Sequence, residues 1–313
     1  MKRFLAAGAI ALATLTTGAA LAEYPTDKPI KFVIPYGTGG GFDTIVRTFA
    51  PAVEKELGAT VVPENIKGAS GTRGGQAVAR ADADGYTIGI YNIPGLTVAE
   101  TLGRDIGFSL NEVSWIANLA ASKYGIAVKG DSPIKSVEDL CKLGRPIKLS
   151  DTGKDSTSSI TAVIAFQMIG CDITNITGYG GSNDTMIAVM RGEVDATLKP
   201  ITSLKKYTET KDLRMIVTLT NEPVLEGVPT TTELGYPELA KFGLNRVVGG
   251  PPNMPAAVVE KLATAFEGAA NSEAVQIWAS NTGTELSFMG PEETKSMMSD
   301  LSSFYLQFKN LLQ

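Results

Sequence analysis

The stretch Pro35-Tyr36-Gly37-Thr38-Gly39-Gly40-Gly41-Phe42-Asp43 decides how the chain is read, because four of the five positions from Gly37 to Gly41 are glycine and an apolar strand runs straight into them. Ile30 to Ile34 reads as that strand, and Asp43 to Leu57 places Ile45, Val46, Phe49, Val53 and Leu57 at helical spacing. Backbone without Cβ atoms turns sharply and aims successive N–H groups into one concavity, to which the free donors of the following helix add a weak positive field. An anion is the natural occupant. The plainer reading is a tight strand-to-helix turn that holds nothing. Neither common phosphate pattern is met: no Gly-Lys-Ser/Thr follows the glycines, and a dinucleotide fingerprint begun at Gly37 needs glycine where Phe42 stands. The expected anion is not a nucleotide.

Outward from this loop, the first 22 residues read as a signal peptide. Lys2 and Arg3 precede the apolar run Phe4 to Leu15, and Ala20-Leu21-Ala22 is a small-x-small cleavage site, so cleavage is expected before Glu23 and export to the periplasm follows. Loss of Lys2 and Arg3 takes the formal charge from −5 to −7, which argues against nucleic acid or an anionic membrane as partner. At 313 residues, less the leader, the chain is at the size where one core gives way to two lobes.

There is no histidine, so the commonest general base, neutral metal ligand and partner of a Ser or Cys nucleophile are all missing. No metal and no cofactor is called for. The serine-elbow pattern fails because Gly68-Ala69-Ser70-Gly71 continues with Thr72, and Ser132-Pro133-Ile134-Lys135 lacks the companion motifs of a Ser-x-x-Lys enzyme, so it reads as the approach to a helix. Cys141 and Cys171 each stand beside the end of an expected helix. They either form a disulfide, as export permits, or are two separately buried thiols.

Thr60 to Pro63 and Tyr86 to Tyr91 read as further strands, Gly71 to Arg80 as a helix and Asp84-Gly85 as a turn. Strands alternating with helices argue for a parallel sheet, whose ligands lie beyond the carboxyl ends of the strands. The Pro35 to Asp43 loop and Asn92 both fall there. The pattern then restarts: strand Tyr124 to Val128, a capping box at Ser136 and Asp139, strand Pro146 to Leu149, then the hydroxyl-rich loop Ser150 to Ser158 and the helix Ile160 to Ile169. That loop is either a second set of ligand donors or a solvated cap. Gly178 to Asp184 is a third polar junction, leading into Thr185 to Arg191, and the tail from Pro255 is helical. Near its end Met297, Leu301, Phe304, Phe308 and Leu311 form a stripe that reads as core.

In this order the motifs resemble the periplasmic substrate-binding receptors of the tripartite tricarboxylate transporter family, also called Bug receptors. Nine short matches carry the resemblance: Tyr24-Pro25 to Pro29-Ile30, Pro35 to Asp43, Gly68-Ala69-Ser70-Gly71, Asp84-Gly85-Tyr86-Thr87, Ser132-Pro133 to Leu140, Ser150 to Ser158, Gly178-Tyr179 to Asp184, Gly192 to Asp195 and Val228-Pro229-Thr230. The resemblance implies an α/β, type II two-lobed binding protein, each lobe a mixed, mainly parallel sheet flanked by helices, with the ligand in the inter-lobe cleft. Residues 23–122 with 248–313 would make the first lobe and 123–247 the second. It also implies a monomer that takes a small organic acid (dicarboxylate, tricarboxylate or aromatic acid) and delivers it to membrane transporter subunits. Carried onto this chain, one end of the acid would meet Tyr36, Thr38, Gly39, Gly40, Gly41 and Asp43, with Asn92 beside them. The other end would meet Ser150, Thr152, Gly153, Ser156, Thr157 and Tyr179.

The chain departs from the family's usual pattern at several of these positions. Tyr36, Thr38 and Phe42 stand where Phe-x-Ala-Gly-Gly and a small residue are common; Tyr36 and Phe42 either stack on an aromatic acid or pack the lobe, and packing is the expected role of Phe42. Gly180 replaces a common lysine, whose charge Lys154 could supply. Arg246 stands where the family tends to carry an aromatic; it is either a bidentate carboxylate clamp or a surface arginine. Two rival functions remain: an exported histidine-free enzyme using Asp43 or Asp195 as base, and a partner protein that docks without a ligand. Asp43 is expected to cap the helix that follows it.

Overall fold

The computed structural model describes residues 24, 25 and 28–312; the expected leader and its cleavage site lie outside the described residues. The first lobe opens with β1 (Ile30–Ile34), α1 (Gly41–Leu57), β2 (Val61–Asn65), α2 (Thr72–Ala79), β3 (Thr87–Ile93), α3 (Gly95–Thr101) and β4 (Val113–Ser122). The chain then passes to the second lobe: β5 (Tyr124–Lys129), α4 (Val137–Cys141), β6 (Ile147–Ser150), α5 (Thr157–Ile169), β7 (Ile173–Ile176), α6 (Ser182–Met190), β8 (Ala196–Pro200), α7 (Ile201–Glu209) and β9 (Leu213–Thr218). It returns through β10 (Leu244–Pro252), α8 (Ala256–Asn271), α9 (Glu273–Thr282), β11 (Glu285–Met289), α10 (Pro291–Leu306) and α11 (Lys309–Leu312).

Each lobe is built on a mixed sheet, ordered β11-β4-β10-β3-β1-β2 in the first and β7-β6-β8-β5-β9 in the second. Parallel pairing joins β1 to β2 and β3, and β6 to β7 and β8. β5 and β10, the strands that enter each lobe from the other, pair antiparallel on both sides, as β11 does with β4. Antiparallel pairing is therefore more extensive than local strand-helix alternation suggests. Alternation reports only neighbours in sequence, whereas β5 pairs with strands more than sixty residues away and β10 with strands more than a hundred residues away. β10 pairs with β3 and β4 along its length, so the expected second boundary, between 247 and 248, falls inside a strand of the first sheet.

The core of the first lobe lies between its sheet and the helices α1 and α8. Phe32 of β1 meets Phe266 of α8 edge-on at 5.6 Å, and Phe49 of α1 flanks the same ring. On α10 the buried positions are Thr294, Met298 and Tyr305, with Met297, Leu301 and Phe304 half-buried beside them; past its end Phe308 is half-buried and Leu311 outward. The stripe is core, as expected, but its centre is turned by one residue. In the second lobe the Ser136–Asp139 capping box opens α4, and Cys141 at its end pairs with Cys171 just past α5, with the two Cα atoms 5.4 Å apart.

The two crossovers lie side by side. Lys123 alone separates β4 from β5, and a Cβ placed on Gly243, before β10, would stand 3.3 Å from the Ser122 carbonyl oxygen. Two adjacent crossing points make a hinge of the kind that lets rigid lobes rotate.

Candidate functional site

The glycine run ends β1 and starts α1 two residues earlier than the apolar periodicity suggests, with Gly40 as the N-cap and no side chain bonded to the first turn. Asp43 does not cap that turn in the ordinary way. Its carboxylate reaches back to accept from the Gly39 N–H at 2.9 Å, from Asn65 Nδ2 at 2.9 Å and from Arg47 Nε at 2.9 Å. Asn65 also donates to the Tyr36 carbonyl. The loop is thereby held from behind, with Gly39 at φ +76°, a conformation suited to glycine. Burial alone would raise the Asp43 carboxyl, but the three hydrogen bonds and the Arg47 charge outweigh it and hold the group below the usual carboxylate range.

A hydrogen-bonded chain crosses from this loop to the second lobe. Tyr36 Oη donates to the Ser70 carbonyl at 2.8 Å and accepts from Asn92 Nδ2 at 2.5 Å. Asn92 Oδ1 accepts from the Thr157 hydroxyl at 2.5 Å, and that hydroxyl in turn accepts from the Gly95 N–H at 2.7 Å. The Gly37 N–H donates to the Gly180 carbonyl at 2.8 Å, and Arg104 pairs with Asp155. The lobes are shut against each other through these contacts.

Between them lies a cavity of about 30 Å3 lined by Tyr36, Gly40, Gly41, Phe42, Asn92, Tyr124, Thr152, Ser158, Ser182, Lys199, Pro200, Ser203, Leu244 and Arg246. Its lining carries one unpaired positive charge, Arg246, and three helix N-termini. The uncapped starts of α1, α6 and α7 meet there, each presenting first-turn donors. Arg246 is 3% exposed; its Nη1 donates to Ser122 Oγ at 2.7 Å, and its Nε has no partner. Burial pushes the guanidinium down to about 10, so it is charged at neutral pH with no carboxylate among the described residues beside it. The Ser203 hydroxyl is likewise buried without a partner. Lys199 is the second cation: its ammonium donates to Asp151 and to Ser158, each at 2.9 Å. An ammonium has three donors, so one is left for the cavity it lines. Fixed, buried donors around an unneutralised guanidinium make a receptor for an anionic group.

Of the residues expected from sequence, Tyr36, Gly40, Gly41, Asn92, Thr152 and Arg246 line this cavity, and Gly39 lines the space that adjoins it. The others stand behind or beside it. Thr38 is exposed at the loop tip, and Asp43 braces the loop. Ser150 donates to the Thr185 carbonyl, Ser156 caps α5 and bonds Asp151, and Gly153 packs against Ser70 of the other lobe. Thr157 holds Asn92, while Tyr179 packs half-buried beside α6. Phe42 packs the lobe, its ring 4.9 Å from Tyr36 and 5.6 Å from the Arg246 guanidinium carbon. Lys154 is exposed, and the second lobe's ammonium comes from Lys199. A lone lysine closing the buried strand Ala196–Pro200, directly before a helix, was the available signal. Ser203 and Leu244 had none, because each is one of many similar residues until the lobes meet.

The chain matches the family described as "Tripartite tricarboxylate transporter family receptor" over residues 45–304. A UPF0065 protein in the gbd 5' region of Cupriavidus necator is 30% identical over 285 residues, covering 85% of this chain and 84% of that protein. Among solved structures, MatC from Rhodopseudomonas palustris with bound malate superposes with a TM-score of 0.84 at 20% identity, over 93% of this chain and 100% of that one. An R. palustris protein with adipate gives 0.84 at 24% identity, over 93% and 98%. These likenesses give the fold of periplasmic binding proteins. The family match and the Cupriavidus relative each span most of the chain, and the protein belongs to the tripartite tricarboxylate transporter receptor family.

Proposed function

We propose that the protein is a periplasmic solute receptor that closes two lobes on one small organic acid and hands it to a tripartite transporter in the membrane. The observation that carries this reading is Arg246: a buried guanidinium with an unpartnered Nε, in the inter-lobe cavity, beside the uncapped start of α1. One carboxylate of the ligand sits there, met by Arg246, the Ser203 hydroxyl and the first N–H groups of α1. Lys199 and Thr152 face it from the second lobe. The dicarboxylates in the two solved proteins of similar fold, malate and adipate, suit the same polarity.

The enzyme alternative is disfavoured by the chemistry of its bases. Asp43 is saturated with three donors, and Asp195 is held in a bidentate pair by Arg145 at 2.7 and 2.8 Å with the Lys148 N–H at 2.8 Å. Burial raises both carboxyls, the hydrogen bonds and partner charges outweigh it, and both end below the usual range, which makes them poor proton acceptors. The test is a thermal-shift screen across mono-, di- and tricarboxylates and aromatic acids, followed by product analysis of each hit. An acid at a hundredfold excess over its Kd stabilises by about 2.7 kcal/mol, a rise of about 4–5 °C for a chain of this size. Failure of every acid to shift the melting temperature, or chemical conversion of one that does, would overturn the reading.

A further inference from the structure

The inter-lobe space does not end at Arg246. A second cavity of about 300 Å3 opens beyond it and shares Gly40, Gly41, Ser203 and Arg246 with the first. Its volume is at the lower end of the range for small-molecule sites, whereas the 30 Å3 of the central cavity holds only about two waters. Four helices wall it. Ile45 of α1, Met186 of α6 and Trp278 of α9 give apolar surface, and α7 supplies Ser203, Lys205, Lys206 and Glu209.

The charge pattern along α7 is informative. Ser203 and Lys206 are three residues apart, so they share a face of the helix and are about 5 Å apart along its axis. The Ser203 hydroxyl, without a partner, lies at the Arg246 end; a Cβ on Gly41 would stand 3.0 Å from it and 3.3 Å from Arg246 Nη2. Lys206, one turn on, donates to the neutral amide oxygen of Asn183 at 3.1 Å and lies over the Tyr207 ring, so its charge is not cancelled. Lys205 has only a long, exposed pairing with Glu209 at 3.9 Å, which contributes little. The cavity thus has a cation at its inner end, apolar walls, and two lysines against one carboxylate at its outer end.

We propose that this second cavity receives the far half of the ligand, and that the acid is an elongated dianion rather than a short one of malate type. Its inner carboxylate binds Arg246, its apolar midsection lies on Trp278, Met186 and Ile45, and its outer anionic group faces Lys205 and Lys206. An extended chain advances about 1.25 Å per C–C bond, so carboxyl carbons separated by one helical turn or slightly more need about three to four methylene carbons between them, against two in succinate and four in adipate. Trp278 and the lysine pair are then the residues that set ligand length and outer charge. This inference rests on the receptor reading and on Arg246 as the inner anchor.

Titration calorimetry of the full mature chain with succinate, adipate and hexanoate tests it, with the variants Lys205→Gln/Lys206→Gln, Trp278→Ala and Arg246→Met, each first checked for an unchanged melting temperature. The expected result is at least tenfold tighter binding of adipate than of succinate or hexanoate. In the double glutamine variant the adipate advantage over hexanoate disappears while hexanoate affinity stays within twofold. Trp278→Ala weakens adipate and hexanoate together and leaves succinate within twofold. Binding of succinate as tight as adipate, lost in Arg246→Met, would overturn this inference and leave the receptor standing. An adipate to hexanoate ratio unmoved by removal of both lysines would also overturn it. Absence of binding by all three acids, with no effect of Arg246→Met, would overturn both.

Discussion

Closure of the lobes depends on glycine at position 95, and replacing it with alanine gives a sharp test of whether binding and closure are one event. A Cβ at Gly95 would lie 2.7 Å from the Asp155 carbonyl oxygen, 2.8 Å from the Thr157 nitrogen and 2.9 Å from Thr157 Oγ1, all in the opposite lobe. Two of these are backbone atoms, so no side-chain rotation relieves the clash; the lobes must separate. Separation breaks the Gly95 N–H bond to Thr157 and the Thr157 bond to Asn92. At about 1 kcal/mol each, the closed form loses about 2 kcal/mol, a factor of about thirty in the closure equilibrium. Within its own lobe the change is benign, since Gly95 opens α3 without a positive φ and alanine favours a helix by up to about 1 kcal/mol. The expected outcome is therefore an unchanged or slightly raised melting temperature for the ligand-free variant, a larger radius of gyration by small-angle X-ray scattering, and an acid affinity weakened by up to about thirtyfold. Wild-type affinity together with a wild-type scattering profile would refute the coupling of binding to closure.

Gly41→Ala should place a methyl group between Ser203 Oγ and Arg246 Nη2, at 3.0 and 3.3 Å, and weaken acid binding at least tenfold without lowering the melting temperature; calorimetry showing intact affinity would move the carboxylate away from α1. Loss of the Cys141–Cys171 bridge in a double alanine variant should lower stability by up to about 3–4 kcal/mol, the chain-entropy value for a 30-residue separation, while affinity measured below the new melting temperature stays the same. Arg246, pushed down to about 10 by burial, loses its charge as pH rises through that value, so acid affinity should fall above about pH 10. Stability of the ligand-free protein should rise across the same window, because the unfolded chain there holds the extra proton. Asp43 and Asp195, both held low, contribute stability that is present above about pH 4 and lost as pH falls through their folded values; denaturant melts from pH 7 to 3 should show this, with a shallower slope in Asp43→Asn.

Local chemistry makes the junctions legible in the sequence. The Gly37 to Gly41 run, the hydroxyl-rich Ser150 to Ser158 loop and the Gly178 to Asp184 loop all lie at strand-to-helix turns facing the cleft, because glycine and short polar residues answer to backbone demands that are local. The roles within those loops are less legible. Asp43 fits the pattern of a cap, yet its carboxylate folds back on Gly39, Arg47 and Asn65, the last of these reached only once β2 pairs with β1. Asn92 is readable as a residue at a strand end but not as the link between Tyr36 and Thr157. The antiparallel strands β4, β10 and β11 leave weaker traces still, since their partners are remote and the faces of β4 and β10 are nearly all buried, which removes the alternation that marks a strand. Lys199 belongs to the same class: its meaning lies in Asp151, 48 residues away.

Arg246 stands on β10 three positions past Gly243, and its Nη1 is fastened to Ser122, the last residue of β4 before the other crossing. The side chain proposed to meet the ligand's carboxylate is thus fastened beside the two crossings between the lobes. A substitution at 246 that favours a different acid would also loosen or stiffen those crossings, so the acid chosen and the time it is held before release are inherited together.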